Sequence, residues 1–247
     1  MRRSNFLNLT DEELDKPIYR IIKKEYLFDL FASGQNLLRN PGLWDDPYEN
    51  LILKSKVQNS KGEITDYGFH EFMYGQCWSL HKASDAMWRI YSPEADGIRL
   101  RTTVRKLAHS LYDSGVFKPE ATAYIGKVRY LSTKKIWKFS NTLYDEDSFL
   151  VDNLFYSLLV KRPAFKHERE VRLLYSDVTK KHTGDEYLYP VDPHALIDQL
   201  MIDPRVTYDE FKLIKQEISD KTGYKGSIKR SLLYAPPEDM IIVTKAP

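Results

Sequence analysis

The stretch Phe165–Ser176, FKHEREVRLLYS, constrains the fold more than any other part of the chain. Its apolar second half reads as a central β-strand, and side chains on a strand alternate between faces. Glu168, Glu170 and Arg172 then share one face, while Arg169, Val171 and Leu173 share the other. Two readings follow. In one, Arg172 neutralises Glu170 at the sheet surface, an arrangement worth about 0.2–1 kcal/mol. In the other, the carboxylates line a functional site, which the apolar VRLLY flank favours because surface ion pairs seldom need such a setting.

The surrounding pattern predicts one α+β domain over residues 1–247. Capping boxes at Thr10/Glu13 and Thr207/Glu210 start helices, and Gly34 and Gly223 end them. Apolar periodicity places helices over 104–115 (Val104, Leu107, Ala108 and Leu111 inward) and over 148–163, ended by Pro163. A short helix follows Ser84 or Asp85. Strands are expected at 17–22, 51–57, 72–80, 96–102, 122–131, in EYLYPV and ALIDQLMID, and in a closing MIIVT. Residues 37–50, punctuated by Pro41, Gly42 and Pro47, read as a loop carrying Trp44 and Tyr48. Strands and long helices do not alternate regularly, which argues against a doubly wound parallel sheet.

A net charge of +2 gives no overall signal for nucleic acid, though a local basic face remains compatible with it. Cys77, the single cysteine, rules out an internal disulfide framework, suits a reducing cytoplasm, and reads as a small buried hydrophobe. No apolar run is long enough to span a membrane, and the N-terminus lacks the apolar segment of a signal peptide. Glycine-rich nucleotide loops, an H-E-x-x-H pair, a C-x-x-C pair and a G-x-S-x-G elbow are all missing, and the six histidines are scattered.

Four stretches in order, PIYR, LLRNPGLWDDPYEN, CWSLHKASDAMWRIYSPEADGIRLR and FKHEREVRLLY, with a weaker tail to SIKRSLLY, resemble the bacterial family catalogued as domain of unknown function 2971, over about residues 17–235. The chain departs from that pattern at Trp44-Asp45, where Phe-Asn is expected, and at Arg89-Ile90, where Ser-His is expected. It also departs at Arg99-Leu100-Arg101, where an acidic ending is usual. More loosely, an arginine on a first strand, a serine on a middle strand and Glu-x-Glu on a late strand resemble the layout of ADP-ribosyltransferases, which implies a split, mixed or antiparallel sheet, flanked by helices, that holds NAD in a cleft.

That resemblance puts Arg20, Ser79 and Glu168/Glu170 at the matching positions, with Glu170 and Glu168 catalytic; Tyr19, Trp44, Asp46, Tyr48, Arg89 and Tyr91 join Arg20 and Ser79 as the residues expected around the nucleotide, with no metal. A carboxylate stabilises the positive charge that develops on ribose as the nicotinamide bond breaks, and a second can orient or deprotonate the acceptor. The planar fork of Arg20 suits a pyrophosphate. Trp44 and Tyr48 offer ring faces for a lid over the cleft. Arg89 is placed to meet phosphate, whereas Trp88 reads as core. The implied acceptor is nucleic acid or protein, in a toxin or antiphage-defence setting with a possible antitoxin or regulatory partner. Two other classes compete: a metal-dependent nuclease or hydrolase using Asp45, Asp46, Glu49, Glu168 and Glu170, and a non-catalytic binding module.

Overall fold

In the computed structural model, residues 1–51, 54–58, 61–66, 72–82, 84–115, 121–142, 151–177, 184–235 and 241 are described. Along the chain these form β1 (Phe6–Leu7), α1 (Asp11–Leu14), β2 (Pro17–Lys23), α2 (Lys24–Ser33), β3 (Gln35–Arg39), β4 (Lys56–Gln58) and β5 (Ile64–Asp66). Next come β6 (Met73–Ser79), α3 (Asp85–Tyr91), β7 (Gly97–Thr103), α4 (Val104–Tyr112), β8 (Ala121–Lys127), β9 (Arg129–Tyr130), α5 (Thr133–Thr142), α6 (Val151–Ser157) and β10 (Val160–Lys161). The last are β11 (Glu170–Asp177), β12 (Glu186–Pro190), α7 (Pro193–Leu196), β13 (Gln199–Ile202), α8 (Tyr208–Thr222) and β14 (Ser227–Arg230).

Among the described residues, ten strands make one mixed sheet in the order β1-β8-β11-β6-β2-β7-β13-β14, with β3 joined to β6 and β12 to β3. The sheet is almost cut in two. Strands β6 and β2 meet through a single residue pair, Tyr19 with Ser79, and then diverge. β3 touches β6 only at Arg39 with Gly75. The expected mixed sheet flanked by helices is thus what the chain forms, and its split lies between β2 and β6.

Strand β11 is buried along its whole length, as a central strand must be. Val171, Leu173 and Tyr175 face a large core with Ile18, Trp78 and Leu100, onto which α4 packs the side chains of Val104, Leu107, Ala108 and Leu111. On the opposite face Leu174 and Tyr124 pack against Leu154, Phe155, Leu158 and Leu159 at and beyond the end of α6. Gly126, opposite Arg172 in the sheet, permits that approach: a Cβ there would lie 2.3 Å from Leu159.

Several boundaries differ from the sequence pattern. The strand expected from residue 165 begins at Glu170, because Pro163–Glu168 is a 3-10 run and Arg169 turns the chain with φ 46° and ψ 54°. The helix expected up to Pro163 ends at Ser157, and Val160–Lys161 pairs as a strand with Arg129–Tyr130. Residues 35–39, placed largely in a loop, form β3, and ALIDQLMID divides into the end of α7 and β13. The first part of helix 148–163, part of strand 51–57 and all of the MIIVT strand except Ile241 fall on residues outside those described.

Candidate active site

Glu170 opens β11 directly opposite Ser79, and Arg172 stands opposite Cys77. All four share a sheet face, so the alternation read from the sequence holds for Glu170 and Arg172. Their setting is the interior. The Arg172 side chain is 0% exposed and that of Glu170 is 6% exposed, which excludes the surface ion pair. Arg172 donates to Glu170 Oε2 through Nε (3.0 Å) and Nη2 (2.5 Å), to Glu49 Oε2 (2.7 Å), and to the Leu158 carbonyl (2.7 Å). The Trp44 ring covers the guanidinium at 4.3 Å. Burial opposes the Arg172 charge, but Glu170 and Glu49 outweigh it and raise its pKa well above the ordinary arginine range.

A second cation completes the cluster. Lys161 on β10 sits 2.7 Å from Glu49 Oε1, 2.5 Å from Glu168 Oε2 and 3.8 Å from Glu170 Oε1. Burial again opposes the charge, and Glu170, Glu168 and Glu49 together hold the ammonium above the usual lysine range. Burial pushes the Glu49 carboxyl up, and Arg172 and Lys161 offset part of that. Glu168 precedes the strand, yet its carboxylate converges on the same place: Ser79 Oγ donates to its backbone carbonyl (2.6 Å) and the Tyr91 hydroxyl to its Oε1 (3.3 Å). Desolvation of that hydroxyl and the adjacent Glu168 and Glu170 push Tyr91 above the ordinary tyrosine range, so it remains a donor. The Glu170 N–H is taken by the Tyr130 hydroxyl at 2.9 Å, whose pKa burial pushes up to about 12. Glu170 Oε1 accepts no hydrogen bond from the described residues; Lys161, at 3.8 Å, is the cation beside it.

Glu168, Glu170 and Tyr91 border a cavity of about 230 Å³ in the split between β2 and β6, with Arg172, Lys161 and Glu49 behind them. Of the residues singled out from the sequence, Tyr19, Arg20, Trp44, Ser79, Tyr91, Glu168 and Glu170 line it. A neighbouring cavity of about 490 Å³ shares Arg20, Leu37, Arg39 and Trp78 with it, so Arg20 stands where the two meet. Among the described residues Arg20 has neither an ion pair nor a hydrogen bond, and burial pulls its pKa below the usual arginine value.

Three other candidates are elsewhere. The Asp46 side chain, 2% exposed, is ion-paired to Arg162 at 2.8 Å, and the Tyr48 ring lies under the same guanidinium at 4.5 Å. Arg89 is exposed and paired with Asp85 one helical turn back, while Met87 and Tyr91 are the α3 residues on the cavity wall. Trp88 is core. The loop read as a lid is fixed from within: Asn40 caps Gly42, Asn50 donates to the Pro41 carbonyl, and Trp44 fills the space that Gly75 leaves by lacking a Cβ. Trp44 and Tyr48 therefore serve as anchors in the free protein. Cys77, half-buried, borders the cavity, and burial and then Glu170 push its thiol pKa far above the normal range, which disfavours the thiolate.

Sequence reasoning missed Lys161 and Tyr130. Lys161 was hidden inside an apolar run that reads as helix, and Tyr130 within a single strand that the structure breaks at Val128. Among the described residues no group of three His, Cys, Asp or Glu side chains is arranged to hold a metal ion. Glu49, Glu168 and Glu170 are instead occupied by Lys161 and Arg172, contrary to the metal-dependent alternative.

A search of curated proteins finds no match to this chain. Solved structures of Thermus sp. 2.9 DarT do match. The NAD+ complex is 13% identical, with 88% of this chain and 96% of that chain covered and a TM-score of 0.40. The complex with ADP-ribosylated ssDNA is 12% identical, with 88% and 94% covered and a TM-score of 0.39. Residues 87–173, from α3 to the second half of the FKHEREVRLLYS stretch, match the family described as "Protein of unknown function (DUF2971)".

Proposed function

We propose that the protein is an NAD-dependent ADP-ribosyltransferase with Glu170 as the catalytic carboxylate. One observation carries this reading: Glu170, on the wall of the cavity, is fixed through Oε2 by Arg172, while its Oε1 accepts no hydrogen bond from the described residues. Breaking the nicotinamide–ribose bond sends the bonding pair to the nicotinamide nitrogen and leaves positive charge on the ribose carbon. A buried carboxylate that is already oriented stabilises that charge without reorganising. The cluster also has the matching charge, since three carboxylates (Glu49, Glu168, Glu170) share two cations (Lys161, Arg172). Arg20, unpaired where the cavities join, is the cation for the pyrophosphate. Both Glu168 oxygens are engaged, which makes it a support for the site more than an acceptor base. Lys166 and Arg169, exposed on either side of Glu168, favour nucleic acid over protein as the acceptor.

The test is nicotinamide release from NAD by the purified protein with and without EDTA. Release that survives the chelator is expected. Glu170→Gln should lower it by about a hundredfold or more while leaving the melting temperature close to wild type. Full turnover in folded Glu170→Gln would remove Glu170 from the reaction, and metal-dependent cleavage of nucleic acid would replace the reading.

A further inference from the structure

Lys161 makes no contact that the proposed chemistry requires, yet it is the only lysine among the described residues paired with more than one buried carboxylate. Its side chain is 6% exposed and its ammonium lies 4.5 Å from the centre of the Phe165 ring, which seals it on that side. Strand β10 is two residues long, and its pairing with β9 aims the side chain inward: Arg129 N–H donates to Leu159 and Leu131 N–H to Lys161. Removing the ammonium would leave Glu49, Glu168 and Glu170 with Arg172 as their sole cation among the described residues. Buried like charges at this spacing repel strongly, and the group answers by taking up a proton or by moving apart.

We propose that Lys161 is a positioning residue, whose ammonium bridges Glu49 and Glu168 and holds them in place so that Arg172 can fix Glu170 at the cavity wall. This rests on the ADP-ribosyltransferase reading for its consequence in turnover, though not for the arrangement itself. The titratable and charged groups facing the carboxylates are Lys161 on β10, Arg172 on β11, Tyr91 on α3, Tyr130 on β9 and Cys77 on β6. Of these, Lys161 and Arg172 are the cations. Burial already pushes the Glu49 carboxyl up, so it is the group whose titration responds most directly to loss of the ammonium.

The experiment compares wild type, Lys161→Met and Lys161→Arg. The first measurement is the carbon-13 carboxyl titration of Glu49 without nucleotide, assigned with Glu49→Gln. The second is the pH profile of nicotinamide release. In Lys161→Met the Glu49 midpoint should rise by about one pH unit or more, a tenfold change in its proton affinity. The acid limb of the rate profile should move in the same direction, with kcat falling more than KM changes. Lys161→Arg should restore both midpoints. If Lys161→Met does not fold, Lys161→Gln keeps a donor for Glu168 without the charge and takes its place. An unmoved Glu49 titration in a folded neutral variant overturns the proposal. If wild type releases no nicotinamide, the enzyme reading falls, while the titration still decides the role of Lys161.

Discussion

At the scale of single residues, Arg169 is the least expected conformation in the site. It is not glycine, yet it adopts the left-handed region between Glu168 and Glu170. The neighbouring backbone fixes it there: Leu80 N–H donates to its carbonyl, and Val128 N–H donates to that of Glu170. A residue with a Cβ in this region costs about 1–2 kcal/mol. Its side chain is exposed and has no partner among the described residues, so nothing intramolecular compensates. Arg169→Gly should therefore unfold at equal or higher urea concentration, by up to about 1 kcal/mol. A loss of stability would show that the side chain holds something in the free protein. Arg20 presents the converse case. With no side-chain partner among the described residues, it should tolerate Arg20→Ala with little change in melting temperature, while NAD binding weakens by about 1.5–3 kcal/mol, the contribution of a charged hydrogen bond. Calorimetry with NAD decides, and an unchanged dissociation constant would take Arg20 out of the site.

At the scale of elements, helices with their own punctuation were legible and the long-range joints were not. Thr207/Glu210 and Gly223 bound α8, and Thr10/Glu13 opens α1, because capping is a contact between residues a few positions apart. The end of α6 carries no such mark. Leu158, Leu159 and Val160 are all buried, and an apolar run buried on every side looks the same whether helical or extended. Reading it as helix hid β10 and with it Lys161. Glu49 was visible only as an acid in a loop, since its partners lie on β10 and β11. That loop is better understood through Gly75. A Cβ there would come 2.9 Å from the Trp44 ring and 3.0 Å from Leu174. Gly75→Ala should push Trp44 off Arg172 and destabilise the protein by about 1–3 kcal/mol, as overpacking does. Hydrogen exchange should show residues 43–50 protected in the free wild-type protein, with protection lost in Gly75→Ala; protection that first appears with NAD would restore the lid.

At the scale of the whole molecule, the two halves of the split sheet each bring one wall of the site, and α3 ties them together. Strands β11 and β6 carry Glu170 and Ser79, while β2, on the other side of the split, carries Tyr19 and Arg20. Helix α3 is held to the second half by Asp203, just beyond β13. Its buried carboxylate accepts from the Ser92 hydroxyl at 2.7 Å and pairs with Arg205, which donates to the Ser92 and Trp88 carbonyls at the helix end. From that fixed end Tyr91 reaches across to Glu168 on the first half. Burial opposes the Asp203 charge, but hydrogen bonds from Arg205 and Ser92 outweigh it and hold its pKa below that of a free aspartate. A depressed folded-state pKa stabilises the protein above the unfolded pKa, and that contribution is lost as pH falls through the folded value. Asp203→Asn should therefore lower stability near neutral pH, where a charged hydrogen-bond network contributes about 1.5–3 kcal/mol. The gap to wild type should close as the solution is acidified below about pH 4. Urea titrations across that range check this. A gap independent of pH would mean that the Asp203 charge is not what anchors α3, and the link from β13 through α3 to Glu168 would have to be carried by packing around Trp88 instead.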